Sequence, residues 1–164
     1  MKRKQGGFSL IELLIVVAII LIIAAIAIPN LLRSRIAANE ASAVASIRQI
    51  TTAEISYSTQ YPANGYADTF AKLGPTSPPG GVPSTAAADL LASDLGCSQA
   101  TCTKTGYVFS MVNISATVPI SDLSIHAVPA SINMTGVRGF CSDHLGPIKY
   151  DPTGGTACTI PIPQ

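Results

Sequence analysis

The chain has 164 residues, of which 48% are hydrophobic and 12% are charged, and its formal net charge is +1. This length corresponds to a single domain. The high apolar content excludes a disordered chain, and the near-neutral charge gives no indication of nucleic-acid binding. The mean hydropathy of +0.41 is high for a soluble domain, which indicates that one segment carries much of the apolar content.

The apolar content is concentrated near the N-terminus. Every residue from Leu13 to Ile28 is apolar, and the stretch from Phe8 to Ile28 has 21 residues. As a helix it would be about 31 Å long, enough to cross the hydrocarbon core of a bilayer. Residues 1–7 contain three basic side chains and no acidic one, which is typical of a cytoplasmic N-terminus. We therefore predict a single membrane-spanning helix over residues 8–29.

A secretory signal peptide that is later removed is the alternative interpretation of this segment. Ala25-Ile26-Ala27 has the small-x-small pattern of a signal peptidase site. Against this, the apolar stretch is longer than a typical signal core, and it contains Glu12. An ionisable side chain near the centre of a membrane segment costs about 2.5–3.5 kcal/mol and normally has a partner. Glu12 is therefore a candidate functional residue.

The residues around Glu12 form a specific motif. A short basic leader and a Gly-Phe junction precede the glutamate, and a long apolar run follows, in Gly6-Gly7-Phe8-Ser9-Leu10-Ile11-Glu12-Leu13-Leu14. This motif resembles the N-terminus of the type IV pilin and type II secretion pseudopilin superfamily, and the resemblance is clear over residues 1–60. It implies an α+β fold, in which a long N-terminal α-helix packs on a small antiparallel sheet of about four strands.

The resemblance also implies how the chain is processed. A prepilin peptidase would cut between Gly7 and Phe8, removing the leader of residues 1–7, and would N-methylate Phe8. The remaining chain has seven basic and nine acidic residues, a formal charge of −2. Glu12 would pair with the new amine of a neighbouring subunit and set the axial register, since pairing relieves the cost of two isolated charges in apolar surroundings. Pairing within its own chain, or protonation, is the alternative.

The helix is expected to continue beyond the membrane segment. Pro29 lacks the N–H that would bond to the carbonyl of Ala25, which predicts a kink. Residues 30–60 are amphipathic, which predicts that this half of the same helix packs on a sheet. Tyr61-Pro62 predicts its end. The apolar positions are Ile36, Ala43, Ile47, Ile50 and Tyr57, with Arg33, Glu40 and Arg48 between them.

The remaining residues divide into a loop region and a β-rich region. Residues 61–106 are predicted as a variable loop region with a short helix over Thr85–Leu95, which Gly96 would stop. Residues 107–164 are predicted as an antiparallel β head with a C-terminal disulfide loop. Four strands in sequence favour a meander, and they cover residues 107–112, 123–128, 137–141 and 148–150.

Four cysteines follow the apolar segment, which is typical of an oxidising compartment and two disulfides. Three connectivities are possible, and loop length favours local pairing. Cys97 with Cys102 would close a short loop, and Cys141 with Cys158 would attach the C-terminal residues to the third predicted strand. A zinc site is the rival interpretation, but the spacing lacks paired CxxC motifs and suitably placed histidines.

The two histidines do not indicate a catalytic site. His126 alternates with Ser124 and Val128, which predicts the outer face of a strand, and His144 lies in a predicted turn. Neither is near an obvious nucleophile, so we expect no catalytic residue and no enzyme activity. We also expect no cofactor, although calcium is possible if the chain is a pseudopilin. The weak calcium candidates, which are more typical of turns, are Asp122, Asp143 and Asp151.

Together these features predict a structural filament subunit. Its expected partners are other copies of the chain in a helical filament, the prepilin peptidase, and the platform protein and ATPase of the assembly machinery. The chain would start in the bacterial inner membrane, with its N-terminus in the cytoplasm, and end in a periplasmic or extracellular filament. A major pseudopilin of a type II secretion system is the first alternative, and a membrane-anchored extracytoplasmic binding module is the second. No nucleic-acid partner is evident, because the residues after position 60 include only four basic side chains and six acidic ones.

Overall fold

The structure is a computed structural model that describes residues 8–113, 115, 117–144 and 146–162. The predicted leader, residues 1–7, lies outside this part of the chain. The chain forms two compact units, a first unit up to Arg35 and a second unit from Ile36 onward. Helix α1 (Leu10–Gln60) supplies residues to both.

The first unit exposes an apolar helix. Its large apolar side chains between Phe8 and Leu32 are 43–82% exposed. A helix that is apolar on every side has no polar face to present to water. The helix continues through Pro29, and one residue later Asn30 Nδ2 donates a hydrogen bond to the carbonyl of Ile26 at 3.1 Å. The kink at Pro29 stays a prediction.

In the second unit, the C-terminal part of α1 buries one face. This confirms the predicted amphipathic half of the helix, although Ile36 is only partly buried. α1 ends at Gln60, directly before Tyr61-Pro62, because a proline has no N–H with which to continue the helix. The buried apolar side chains, each at most 4% exposed, are Ala43, Ile47, Ile50, Ala53 and Tyr57.

The sheet of the second unit has six antiparallel strands in sequence order, which is a meander. The α+β fold is therefore confirmed, but the expectation of about four strands was too low. The first and last strands were missed because one is a short polar segment and the other has only two residues, one of them a proline. The strands are β1 (Thr101–Lys104), β2 (Tyr107–Asn113), β3 (Leu123–Pro129), β4 (Gly139–Asp143), β5 (Ile148–Asp151) and β6 (Ile160–Pro161).

The predicted helix over Thr85–Leu95 is wrong. The backbone N–H groups of Leu90 and Leu91 donate hydrogen bonds to the carbonyl of Leu73, at 2.9 and 2.8 Å. In an α-helix they would donate to carbonyls four residues earlier in the same segment. Asp89 has a φ of 55°, in the left-handed region that an α-helix does not use. The short helix of this region is α2 (Phe70–Leu73) instead.

The core of the second unit forms where the buried face of α1 meets one face of the sheet. Burial alternates residue by residue along β3, as expected of a strand with one face on the core. The largest fully buried side chains are aromatic, and they are Tyr57, Phe70, Tyr107, Phe109 and Phe140.

Two disulfides, Cys97–Cys102 and Cys141–Cys158, lie in the second unit. Both join cysteines that are close in sequence, 5 and 17 residues apart. The second disulfide connects β4 to the segment between β5 and β6. All four cysteines are used in these bonds, which leaves no thiolate for a zinc site.

Loss of the C-terminal disulfide is expected to destabilise the chain more than loss of the shorter one. Loop-closure entropy assigns about 3 kcal/mol to a 17-residue loop and about 2 kcal/mol to a 5-residue loop. The double variants Cys141→Ser/Cys158→Ser and Cys97→Ser/Cys102→Ser can be compared by urea unfolding of the full chain in detergent, followed by tyrosine emission. A larger loss for the shorter loop would contradict this expectation.

Candidate functional site

The start of α1 is organised by Glu12. Glu12 Oε2 accepts a hydrogen bond from the backbone N–H of Ser9 at 3.0 Å, and the N–H of Leu13 donates to the carbonyl of Ser9 at 3.2 Å. A serine before a helix and a glutamate three residues later form half of a capping box. Within its own chain Glu12 therefore binds a backbone N–H. The predicted partner of Glu12 is the free amine of Phe8 in a neighbouring copy, and that amine forms only when the leader is removed.

The apolar surface beyond Glu12 needs to be covered. In the part of the chain that the structure describes, α1 is one helix long and apolar enough to cross a membrane. Glu12 is the only charged residue between Phe8 and Leu32. A surface of this kind is stable in lipid or against other apolar side chains, and it is unstable in water. Membrane insertion and helix packing are therefore the two states open to this segment.

Glu40 ties α1 to the loop between β3 and β4. Its Oε1 accepts hydrogen bonds from the backbone N–H groups of Val137 (3.0 Å) and Arg138 (3.1 Å). Its Oε2 accepts from Arg138 Nε (2.9 Å) and Nη2 (2.6 Å). Glu40 is buried. Its charge had suggested an exposed position between the buried apolar residues of the helix. Its place three residues before Ala43 was the available clue, because positions three apart share a helix face.

The Glu40–Arg138 pair lowers the pKa of Glu40. Burial alone would raise it, but hydrogen bonds from the Arg138 side chain and from the N–H groups of Val137 and Arg138 hold the pKa below the usual 4.5. A carboxylate of this kind stabilises the fold above pH 4.5, and the contribution is lost as the pH falls through the lower folded-state pKa.

Removal of the Arg138 side chain is expected to leave Glu40 buried with its charge only partly satisfied. Because Arg138 is 45% exposed, water can replace part of the lost contact, and we expect Arg138→Met to lower the free energy of unfolding by about 2–3 kcal/mol. Lys72→Met is the matched control, since Lys72 pairs with Asp68 on the surface and should cost less than about 1 kcal/mol. Urea unfolding at pH 7 measures both, and equal losses would contradict a special role for Arg138.

Glu54 is buried, and no cation among the described residues forms a salt bridge with it. It is 2% exposed, and its Oε2 accepts a hydrogen bond from the N–H of Ala67 at 2.8 Å. Among the described groups, none hydrogen-bonds to its Oε1. Burial raises the pKa of Glu54 to about 8, helped by the nearby charge of Asp68 and opposed by the Ala67 hydrogen bond and by Lys72. The carboxyl group is therefore mostly neutral at pH 7.

The contacts of His126 differ from those of the histidine in a catalytic triad. His126 is half-buried on the face of β3 opposite the core, as predicted. Its Nε2 lies 2.8 Å from Ser124 Oγ, but its Nδ1 faces the disulfide-bonded Cys141 Sγ at 3.6 Å, where a catalytic triad would have a carboxylate. Burial lowers the pKa of His126. His144 Nδ1 lies 3.3 Å from Asp122 Oδ1.

The calcium candidates are used in other contacts. Asp151 Oδ1 accepts hydrogen bonds from the N–H and Oγ1 of Thr153, at 2.8 and 2.7 Å, and these bonds lower the pKa of Asp151. Asp143 lies 3.8 Å from Lys149 Nζ. Within the described ranges, no three histidine, cysteine or acidic side chains are grouped as metal ligands. Asp151 is a turn-forming residue in this structure.

Comparison with known proteins identifies the N-terminal motif. The family model described as "Prokaryotic N-terminal methylation motif" matches residues 2–28. The type IV wide pilus major component PilA4 of Thermus thermophilus is 44% identical over 71 residues, which cover 43% of this chain and 53% of that protein. The type IV major pilin protein PilA of Myxococcus xanthus is 44% identical over 54 residues, covering 33% of this chain and 24% of that protein. No solved structure matches the chain.

These matches agree with the fold. The chain spans about half the length of the first relative and about a quarter of the second. Both relatives are named as pilus proteins, and neither is named as an enzyme. The methylation motif and the apolar helix fit anchoring in the inner membrane before assembly into an extracellular pilus. With its long apolar helix followed by a β head, the chain is similar to type IV pilins.

Proposed function

We propose that the chain is a structural subunit of a type IV pilus-like filament. The observation that carries this proposal is the exposed helical segment that is apolar beyond Glu12 and lies largely within the matched methylation motif, residues 2–28. Such a helix must leave lipid for another apolar surface when the subunit is extracted, and other copies of the same helix provide one. The second unit, with its six-stranded sheet, would then form the outer part of the filament.

Processing would prepare the helix for this packing. Prepilin peptidase would cut between Gly7 and Phe8 and N-methylate Phe8, as the match to the methylation motif supports. The cut removes the basic leader, whose charges would otherwise have to be buried with the helix or remain in the cytoplasm. The platform protein and the ATPase of the machinery would then move the subunit from the inner membrane into the filament.

Glu12 would set the register of neighbouring subunits. After cleavage, the amine of Phe8 and the carboxylate of Glu12 are the two charges at the start of an otherwise apolar helix. Each is costly alone in an apolar filament core, and pairing between copies relieves both. A copy displaced along the axis would leave both charges unpaired, so the pair selects one axial position.

A pseudopilin of a type II secretion system is the second candidate. The relatives favour a pilus, since both carry pilus or pilin names. A pseudopilin would be expected to bind calcium and to form no long surface fibres. A membrane-anchored binding module, the third candidate, would form no filament of either kind.

Shearing of cells separates these candidates. We expect the chain to be the main protein of extracellular fibres sheared from the surface, with immunogold labelling along their length, and we expect the fibres to vanish when its gene is deleted. Expression of the intact chain in the deletion strain should restore them. A chain that stays in the membrane fraction while the fibres persist would contradict a role as a filament subunit.

A further inference from the structure

The register of the sheet brings His126 beside the C-terminal disulfide. His126 on β3 pairs with Cys141 on β4, and Cys141 pairs with Lys149 on β5. His126 Nδ1 lies 3.6 Å from Cys141 Sγ, and Cys141 is bonded to Cys158. This contact has a chemical consequence, because an imidazole N–H can stabilise the thiolate that forms when a disulfide opens.

The other contacts of His126 favour a proton on the nitrogen that faces the sulfur. Its Nε2 lies 2.8 Å from Ser124 Oγ. A hydroxyl that donates to Nε2 leaves the proton of the neutral ring on Nδ1. Burial lowers the pKa of His126, which keeps the ring mostly neutral at pH 7 and above. Ser124 therefore positions an N–H donor toward Cys141 Sγ.

The two sulfurs of this disulfide differ in their exposure. Cys141 is 8% exposed, whereas Cys158 is half-buried. Both cysteines border a cavity of about 140 Å³, together with His126. Asp143 and Lys149 also line this cavity, and their charged atoms lie 3.8 Å apart, so opposite charges are balanced there. An anionic thiolate can therefore approach Cys158 without meeting a net negative charge.

The shorter disulfide provides a comparison within the same unit. Its buried cysteine, Cys102, is 2% exposed, its other cysteine is half-buried, and both border a cavity. Cys102 Sγ lies 3.1 Å from the carbonyl oxygen of Leu95, and a carbonyl oxygen, which only accepts hydrogen bonds, disfavours a thiolate beside it. Cys141 Sγ also has a carbonyl oxygen nearby, that of Thr156 at 3.4 Å. Among the described contacts, His126 is thus the donor that distinguishes the two disulfides.

We propose that Cys141–Cys158 is a thiol–disulfide exchange site, in which an external thiol attacks Cys158 and Cys141 leaves as a thiolate that His126 stabilises. The substrate is a thiol reductant, and two thiol groups are consumed for each disulfide that opens. Reduction would release the segment between β5 and β6 from β4. The site does not depend on the proposed filament function, because all its residues lie in the second unit.

The exchange has two steps. In the first, the external thiolate forms a bond to Cys158 Sγ, the bond between the two cysteine sulfurs breaks, and its electron pair goes to Cys141 Sγ. The N–H of His126 donates a hydrogen bond to this thiolate. In the second, another external thiolate attacks the outer sulfur of the mixed disulfide and releases Cys158. The external thiols are oxidised to a disulfide, the chain is reduced, and the two protons that the thiols lose end on the two cysteines.

Rates of reduction test the role of His126. In the full chain in detergent at pH 8, dithiothreitol should reduce Cys141–Cys158 faster than Cys97–Cys102, as measured by timed alkylation of the new thiols and peptide mass spectrometry. His126→Phe should slow reduction of Cys141–Cys158 about tenfold, because the hydrogen bond to the leaving thiolate is lost. The rate for Cys97–Cys102, the internal control, should not change. An unchanged rate for Cys141–Cys158 in the variant, or equal slowing of both disulfides, would overturn the inference.

The identity of the attacked sulfur is a second test, and it needs no variant. With glutathione as the thiol and rapid trapping by iodoacetamide, the wild-type intermediate should carry glutathione on Cys158 and the alkyl group on Cys141. Glutathione on Cys141 instead would show that the other sulfur is attacked. That result would overturn the inference, and so would a wild-type chain in which neither cysteine of this pair reacts.

Discussion

Glu12→Ala is expected to abolish filament assembly while the subunit stays folded in the inner membrane. The variant removes the only acidic side chain between Phe8 and Leu32, so nothing in the apolar segment can replace it as the partner of the Phe8 amine. An unpaired ammonium group in an apolar filament core costs several kcal/mol for every subunit. That cost recurs along the filament, and the filament fraction should fall below detection.

The matched variant Glu12→Gln separates the charge from the helix cap. Glutamine can still accept the hydrogen bond from the Ser9 N–H, which is worth about 1 kcal/mol as a cap, but it cannot neutralise an amine. We expect Glu12→Gln to fail as Glu12→Ala does. Immunoblots of sheared filaments and of membranes measure both variants, and abundant filaments from either one would refute the register mechanism.

The stability of the second unit is expected to fall as the pH rises from about 5 to about 8 because of Glu54. Its pKa is raised by burial from 4.5 to about 8. The folded state therefore holds a proton that the unfolded state has released, and the contribution is fully present below pH 4.5 and lost as the pH rises through about 8. Between these two pKa values the free energy of unfolding falls by about 1.4 kcal/mol per pH unit, which gives a loss of roughly 3–5 kcal/mol across the window.

Glu54→Gln tests this pH dependence. The amide has nearly the same shape and no proton to lose, so the variant should be more stable than the wild type at pH 8 and should lack this part of the pH dependence. Urea unfolding of the full chain in detergent at pH 5, 6.5 and 8 measures the difference between the two proteins. That difference cancels the titration of His126, whose lowered pKa acts in the opposite direction. If the free energies of unfolding of the two proteins change with pH in parallel, Glu54 does not control the pH dependence of stability.

The features that could be predicted from the sequence are those in which neighbouring residues determine the outcome. The apolar run predicts a membrane-spanning helix, the spacing of Ile47, Ile50 and Tyr57 predicts the buried face of its second half, and Tyr61-Pro62 predicts its end. Alternation along β3 placed His126 on the outer face. In each case the residues that carry the information lie within one or two helical turns or along one strand.

The features that were missed depend on contacts between distant segments. Glu40 pairs with Arg138, which lies 98 residues further along the chain. Because its neighbours in the sequence indicate an exposed position, the burial of Glu40 could not be inferred from them. The segment Thr85–Leu95 has helix-like composition, but the N–H groups of Ala88, Leu90 and Leu91 bond to the end of α2 instead. Glu54 lies within the amphipathic pattern, and its burial depends on the chain folding back to bring Ala67 against it.

The mature N-terminus tests the central claim most directly. Intact-mass measurement and N-terminal fragmentation of the chain isolated from sheared filaments should show that residues 1–7 are absent and that Phe8 carries one methyl group. This result would place the peptidase cut at Gly7–Phe8 and the processed helix in the filament. A mature chain that begins after Ala27 would show that the apolar segment is a removed signal peptide, and it would contradict the filament account.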